Sequence, residues 1–391
     1  MTHGQTRDRR GRWTTGGRTA PGTERGDPAV PPNPPPPEPP PAPLPLEAVL
    51  RHFRAGAPHR ATRVAEGLLN RGHRVETSTG RWFLKQYVDP RTAAATTVLA
   101  QHRATVRLHR LGLPVPPPVR SPQGGTLLQL DGCCYALYPW IDGRHRHGTE
   151  LTHGQCEALG ALLARVHAEL DRMKPPVPQP AALPCADPAR TDRLIRDLLE
   201  QARGRSRTRT RNSPELPSEQ SDFDRLAVEH LALRRELLAA HAHRRPPAGR
   251  APRTGWVHGD FHPLNTLYAA DGVNGADPAA ILDWDRLTLG PQAEEAVRSA
   301  AQFFHDRRTG ALDLSRLRRF SRAYRQASGS TAESVATAVH RVWWERLNDF
   351  WILEWHYAHG DRRADPLFPA AAAQILWWCE EYEQVLDAYT N

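Results

Sequence analysis

The sequence predicts an α+β chain of two lobes, a small antiparallel β-rich N-lobe followed by a large, mainly helical C-lobe. Three observations carry that expectation. Residues 60–88 alternate apolar and polar side chains between tight-turn residues, as a meander of short strands does. "GTLLQLDGCCYALYPW" (125–140) sets two apolar runs about Asp131–Gly132, a strong hairpin signal. From residue 152 the apolar spacing turns helical, and after Pro291 it stays helical to the end.

The elements follow in order. Residues 1–43 are rich in Gly and Arg and then in Pro, and lack the apolar side chains of a core. A disordered, polyproline-like tail is expected, with an SH3-type ligand as the alternative to a merely solvated one. The N-lobe is expected over 44–142. "LEAVLRHF" (46–53) is a short amphipathic helix at its edge. "TRVAEGLL" (62–69), "HRVETS" (73–78) and "RWFLKQYV" (81–88) are three strands joined by "NRG" and "TG". A helix spans 92–111 and stops at Gly112. The C-lobe is expected over 143–391. Its first helix, 152–170, places Leu159, Leu162, Leu163 and Val166 on one face. Residues 171–220, rich in Pro and Arg around a helix near 188–202, read as a mobile insertion. A helix over 221–242 has Ser221 or Asp222 as its N-cap. "GWVHGDFHPLNTLY" (255–268) and "AAILDWD" (279–285) follow, on loops between short strands.

Charge narrows the function classes. The net charge is +9, but residues 1–58 hold 8 Arg against 5 acids, and "RGRSRTRTRN" (203–212) adds 5 Arg. The rest of the chain is therefore near neutral, and nucleic acid is not the expected partner. Only two of the 52 basic residues are lysines, Lys85 and Lys174. A lysine kept in so arginine-rich a chain suits a role for a compact ammonium, and Lys85 is the candidate. Five cysteines without a CxxC pair indicate neither a disulfide framework nor zinc. No apolar run reaches the length of a membrane span, so no membrane association and a reducing, cytoplasmic setting are expected.

The chemistry concentrates in two loops. Asp260 is followed by Asn265 in a D-x-x-x-x-N spacing, and Asp283 follows 18 residues later at the end of an apolar run. Phosphoryl transfer from ATP needs such a set. One carboxylate orients an acceptor hydroxyl and takes its proton, while an amide oxygen and a second carboxylate hold Mg²⁺ against the phosphates. Taken singly, each of these residues is also at home as a turn or cap residue.

"VHGDFHPLNTLY…AAILDWDRLTLGP" resembles the Brenner motif and metal loop of the aminoglycoside phosphotransferase/choline kinase family, which includes the type II homoserine kinases. The resemblance covers about 60–390. It implies a protein-kinase-like fold, ATP and Mg²⁺ as cofactors, Asp260 as catalytic base, and Asn265 and Asp283 as metal ligands. His262 is then placed to stabilise the transferring phosphoryl group, and His258 to shape the loop. Asp285 has two readings, in the water shell of a second metal or as a cap on the next segment. Lys85, on the third strand, is implied at the α/β-phosphates. Gly67, Asn70 and Gly72 of "GLLNRG" mark the phosphate-covering turn, and Tyr138, Trp140 and Ile141 of "LYPWIDG" the hinge at adenine. One position departs from the kinase pattern. The helix after the third strand carries no acid, and Gln101 stands where a glutamate would orient Lys85. Glu66 and Glu76 are the candidate substitutes.

The expected activity is ATP- and Mg-dependent transfer of a phosphoryl group to a hydroxyl of a small molecule, an aminoglycoside-like antibiotic, an amino acid or an amino alcohol. A kinase acting on Ser or Thr of a peptide stays open, because the tail and the Arg-rich insertion suit a protein or peptide partner. A nucleotide-binding pseudokinase or scaffold rests on Gln101. Trp344, Trp351 and Trp355 are placed on one helix face, as core. Glu345, Asp349 and Glu354 nearby suit a cationic acceptor or a solvated face.

Overall fold

The computed structural model describes residues 44–64, 70–89, 93–173, 185–212, 218–247, 253–269 and 278–391, with main chain alone over 205–212 and 218–221. Residues 45–391 form one compact unit. Its N-lobe opens with helix α1 (Leu46–Phe53), which buries Val49, Leu50 and Phe53 along one side and ends where Arg54 turns left-handed. Strands β1 (Pro58–Val64), β2 (Arg71–Thr77), β3 (Gly80–Tyr87), β4 (Leu128–Leu130) and β5 (Cys133–Pro139) form an antiparallel sheet in the order β1-β2-β3-β5-β4. The first strand lies earlier than its apolar pattern suggested. Pairing with β2 defines it, and its side chains are almost all exposed, so "VAEGLL" misled the periodicity. Residues 65–69 of that expected strand lie outside the described residues.

Between β4 and β5, Asp131 and Gly132 both have positive φ, 50° and 76°, as a two-residue hairpin requires. Helix α2 (Ala95–Arg110) buries Val98, Gln101, His102, Thr105 and Leu108. It ends before Gly112, whose φ is +77°.

The C-lobe is built on α3 (His153–Met173). Next come α4 (Pro188–Asn212) and α5 (Ser218–Ala240). Short strands β6 (Thr254–Val257), β7 (Thr266–Leu267), β8 (Ala280–Ile281) and β9 (Thr288–Pro291) pair as two ribbons, β6 with β9 and β7 with β8. Helices α6 (Gln292–Phe303), α7 (Leu314–Ser328), α8 (Ala332–Leu347), α9 (Trp351–Ala358), α10 (Phe368–Glu380) and α11 (Tyr382–Thr390) complete it. Trp343, Trp344 and Trp378 are fully buried in one continuous core. Gly160 lets α3 approach α7 so closely that a Cβ there would strike the Phe320 carbonyl.

Three expectations are corrected here. The supposed mobile insertion contributes a packed helix, since Ile195, Leu198 and Ala202 of α4 are buried in the main core. Thr191 Oγ1 also donates to Asn348 at 2.7 Å. The loop composition on either side hid this apolar stripe. Helix α5 begins at Ser218, so Ser221 and Asp222 lie inside it and are not its N-cap. The tryptophans do not share one helix. The chain breaks at Asn348–Phe350, leaving Trp344 buried on α8 and Trp351 and Trp355 half-buried on α9. Arg234 makes the break stable. Its buried guanidinium donates to the carbonyls of Arg346 (2.5 Å) and Leu347 (3.0 Å) in the last turn of α8, where carbonyls lack their i+4 helical partners, and to that of Asp349 (3.2 Å) just beyond it.

Candidate active site

The loop after β6 is set from below. Glu295, on α6 and almost fully buried, accepts the backbone N–H groups of His258 (3.1 Å) and Gly259 (2.5 Å), and His167 of α3 lies 2.7 Å away. Burial opposes the charge of Glu295, but the His167 hydrogen bond, the nearby histidines and the loop amides outweigh it and hold its pKa below the ordinary value. Gly259 has φ +85°, and a Cβ there would strike the Arg286 carbonyl, so only glycine fits this turn. His258 is fully buried. Its Nε2–H donates to the Leu282 carbonyl at 2.9 Å, and its Nδ1 accepts the Asp260 N–H at 3.2 Å. The Leu282 N–H in turn donates to the Asn265 carbonyl at 2.8 Å. These bonds sew the Asp260 loop to the Asp283 loop.

On this frame Asp260 faces His262 Nε2 at 3.6 Å and Arg286 Nε at 3.9 Å. Burial again opposes the charge, but His262, Arg286 and His258 keep Asp260 below the ordinary carboxylate range, hence ionised at neutral pH. His262 is also the N-cap of the short 3-10 turn Pro263–Asn265, its Nδ1 accepting the Leu264 N–H. Asn265 donates through Nδ2 to the Asp260 carbonyl at 2.9 Å. Its amide oxygen accepts no hydrogen bond among the described residues. Asp283 adopts φ +56°, an uncommon backbone state for a non-glycine residue, and its side chain is 42% exposed. Two hard oxygen donors, Asn265 Oδ1 and the Asp283 carboxylate, thus sit on neighbouring stitched turns, a donor set that suits Mg²⁺.

The N-lobe contributes Lys85. In β3 it is paired with Gly72 of β2 and Ala136 of β5, with Phe83 and Tyr87 on the same face. Its ammonium lies 2.6 Å from Asp283 Oδ1 and 2.7 Å from Asp285 Oδ2. Burial works against this charge, yet the two carboxylates raise the Lys85 pKa well above its ordinary value. Lys85 in turn holds Asp283 down against burial. Asp285 is displaced upward, by burial first and by the adjacent Asp283 carboxylate, against the pull of Lys85.

The remaining expected nucleotide residues fall less simply. Asn70 is spent on the protein. Its Oδ1 accepts the N–H of Val88 (2.9 Å) and Asp89 (3.2 Å), and its Nδ2 donates to Asp285 at 2.5 Å. A Cβ on Gly72 would meet the Phe83 ring at 2.7 Å, so that glycine makes room for a side chain of the cleft wall. Gly67 and Glu66 lie outside the described residues. Gln101 does not reach Lys85. It donates to the Asp285 carbonyl at 2.8 Å, and its own amide oxygen is buried without a partner. Glu76 is not the substitute acid, because it pairs with Arg74 of its own strand, β2. Tyr138 joins Tyr87 and His102 in a hydroxyl–imidazole cluster, at 3.1 Å and 3.0 Å. Trp140 donates to Asp142 and lies under the Arg74 guanidinium, with Ile141 half-buried after it.

Sequence reasoning missed the Glu295–His167 brace and Arg286, and left Asp285 undecided between two roles. The pair "EE" at 294–295 opening a helix was the available signal for the first. Only the meeting of α3 and α6 distinguishes it from a solvated helix start.

A five-stranded antiparallel lobe over a helical lobe, with a braced Asp loop, an Asn/Asp pair and a strand lysine meeting between them, defines a kinase-like fold. The chain belongs to the phosphotransferase enzyme family (APH), whose profile matches residues 60–332. Among solved structures it is similar to a spectinomycin phosphotransferase in complex with ADP and spectinomycin, with TM-score 0.57, 13% identity, and coverage of 86% of this chain and 97% of that one. It is also similar to an amicoumacin kinase in complex with AMP-PNP and Ca²⁺, with TM-score 0.51, 16% identity, and coverage of 88% and 94%. A homoserine kinase of Methylorubrum populi is 32% identical over 123 residues, 32% of this chain. That match spans 37% of the relative's length. Among the described residues, no helix is long and apolar enough to cross a membrane.

Proposed function

We propose that this chain is an ATP- and Mg²⁺-dependent O-phosphotransferase acting on a hydroxyl of a small molecule. The observation that carries the reading is the ionised Asp260, stitched through His258 and Leu282 to the Asn265/Asp283 pair, with Lys85 reaching Asp283 from the other lobe. Asn265 Oδ1 and Asp283 would hold the metal, and Lys85 the phosphates. When bound, Mg-ATP supplies the γ-phosphoryl group and the ion offsets charge on the phosphates. Asp260 accepts a hydrogen bond from the acceptor hydroxyl and orients its oxygen. It takes the hydroxyl proton as the oxygen–phosphorus bond forms and the bond to the ADP leaving group breaks. His262 and Arg286, beside Asp260, are placed to offset negative charge there.

The scaffold alternative rested on the missing helix acid. Asp285 supplies Lys85 with a second carboxylate, which favours an active site over a degenerate one. The similar proteins act, by their names, on homoserine, spectinomycin and amicoumacin, so hydroxylated amino acids, amino alcohols and aminoglycoside-like antibiotics form the first acceptor panel.

The test is ADP release from Mg-ATP with that panel, using wild type and Asp260→Asn. At least one acceptor should stimulate release, and the substitution should lower kcat roughly 10²–10⁴-fold, the usual contribution of a general base. Turnover that survives Asp260→Asn removes the assigned base.

A further inference from the structure

We propose that Asp285 is the positioning residue of Lys85, supplying from the metal loop the charge that the helix after β3 lacks, and that it latches the two lobes at this point. The inference rests on the phosphotransferase reading above.

Lys85 and Asp285 are both nearly enclosed, their side chains 10% and 8% exposed, and their charged atoms are 2.7 Å apart. Among the described residues, the carboxylates that reach the ammonium are those of Asp283 and Asp285. Asp283 is the more exposed of the two, and it pairs with Asn265 in the donor set for the metal. Asp285 is therefore the partner that Lys85 keeps when Asp283 turns to an ion. Its Oδ2 is already engaged by Lys85 and by Asn70 Nδ2, which argues against its two expected readings, in the water shell of a second metal or as a cap.

The carboxylate is braced as a positioning group must be. Asn70 is itself fixed by the N–H groups of Val88 and Asp89, just beyond β3. Gln101 of α2 holds the Asp285 carbonyl at 2.8 Å. Three segments thus converge on one residue of the metal loop: the residue before β2, strand β3 and helix α2. Helix α2 contains no acid along its length, so it contributes position and not charge. Lysine placement is then tied to lobe closure, because the acid and the lysine belong to different lobes.

The experiment is calorimetric binding of ADP to the full chain, in EDTA and in Mg²⁺. The proteins compared are wild type, Asp285→Asn, Gln101→Glu and the double variant. Loss of a charge-assisted partner predicts that Asp285→Asn binds ADP roughly 10–100-fold more weakly with or without metal. Gln101→Glu puts a carboxylate on the side of α2 that meets the Asp285 main chain, and restores most of that affinity in the double variant. On its own it does not tighten binding, because Asp285 already serves the lysine. The KM for ATP should follow the same order.

Loss confined to Mg²⁺ makes Asp285 a metal ligand, and unchanged affinity makes it a cap. Failure of Gln101→Glu to restore affinity shows that its charge does not act through Lys85. Each of these results overturns the inference. Should Asp285→Asn not fold, Asn70→Ala loosens the same carboxylate and must weaken ADP in EDTA. A wild-type chain that binds no ADP under either condition sinks the phosphotransferase reading instead.

Discussion

His102 lies beneath the cleft with Nδ1 2.9 Å from Thr126 Oγ1 and Nε2 shared between the hydroxyls of Tyr87 and Tyr138. Burial, with a smaller push from Lys85, lowers its pKa to about 4. Burial and Arg234 lower that of His230 to about 3. An unfolded histidine titrates near 6.5, so unfolding takes up protons as pH falls below that value. The stability these neutral rings allow is complete above about pH 6.5 and is lost progressively toward pH 4 for His102 and pH 3 for His230. For His102 the loss amounts to about 3 kcal/mol. His102→Asn should show a flatter thermal midpoint between pH 7 and pH 5 than wild type, and parallel curves would contradict this account. At the same scale the proposed set Asp260, Asn265, Asp283 and Lys85 could be picked out from residue type, spacing and the family resemblance. Asn70 and Gln101 were legible only as positions. Their amides turned out to serve Asp285, a contact made across 215 and 184 residues of chain.

Elements were recognised where one rule dominated. The Asp131–Gly132 hairpin and helices α2 and α3 follow from turn chemistry and apolar period alone. Strand β1 did not, because an exposed edge strand is set by its partner's backbone and leaves no apolar signature. Helix α4 was expected near 188–202, but its packing into the core was hidden by the Pro- and Arg-rich chain around it, and the α8–α9 break by a run of tryptophans that reads as one helix. Two element-scale predictions follow from the braces. Glu295→Gln removes the charge that receives two loop amides, which should cost about 1.5–3 kcal/mol of stability. The Asp260 loop should shift with it and lower kcat on the order of 10²-fold, more than any change in the KM for ATP. The Glu295 pKa is depressed in the fold, so its stabilisation is present above the unfolded value near 4.3 and is lost as pH falls further. Acid unfolding of wild type should therefore be steeper below about pH 4 than that of Glu295→Gln. Arg234→Ala leaves the carbonyls ending α8 without their buried donor, and should cost about 3 kcal/mol in denaturant titrations at unchanged ADP affinity.

At the scale of the molecule, residues 45–391 carry their own cores, a large one running from Leu108 to Tyr389 through the helical lobe and a smaller one of Tyr87, Val98, Cys134 and Ala136 between α2 and the sheet. Removal of residues 1–44 should leave the thermal midpoint and ADP affinity unchanged, and a drop in either would give that segment a folded role. Nucleotide binding between lobes should stabilise the whole unit by mass action, by about 2.7 kcal/mol at a hundredfold excess of Mg-ADP over its Kd. A wild-type midpoint that does not move under that excess would contradict binding at the described site.

Two lobes, most of their elements and the four residues proposed for phosphoryl transfer could be read from the sequence itself. Period, turn residues and donor chemistry are local properties, written within a few residues of one another. The tertiary structure alone decided what holds those residues. Glu295 became a loop brace because α6 meets α3 beneath Gly259. Asp285, not a helix acid, became the second carboxylate at Lys85 because β3 closes over the metal loop. A buried charge acquires its role from the partners that replace its water, and those partners lie at sequence distances that no pattern along the chain can register.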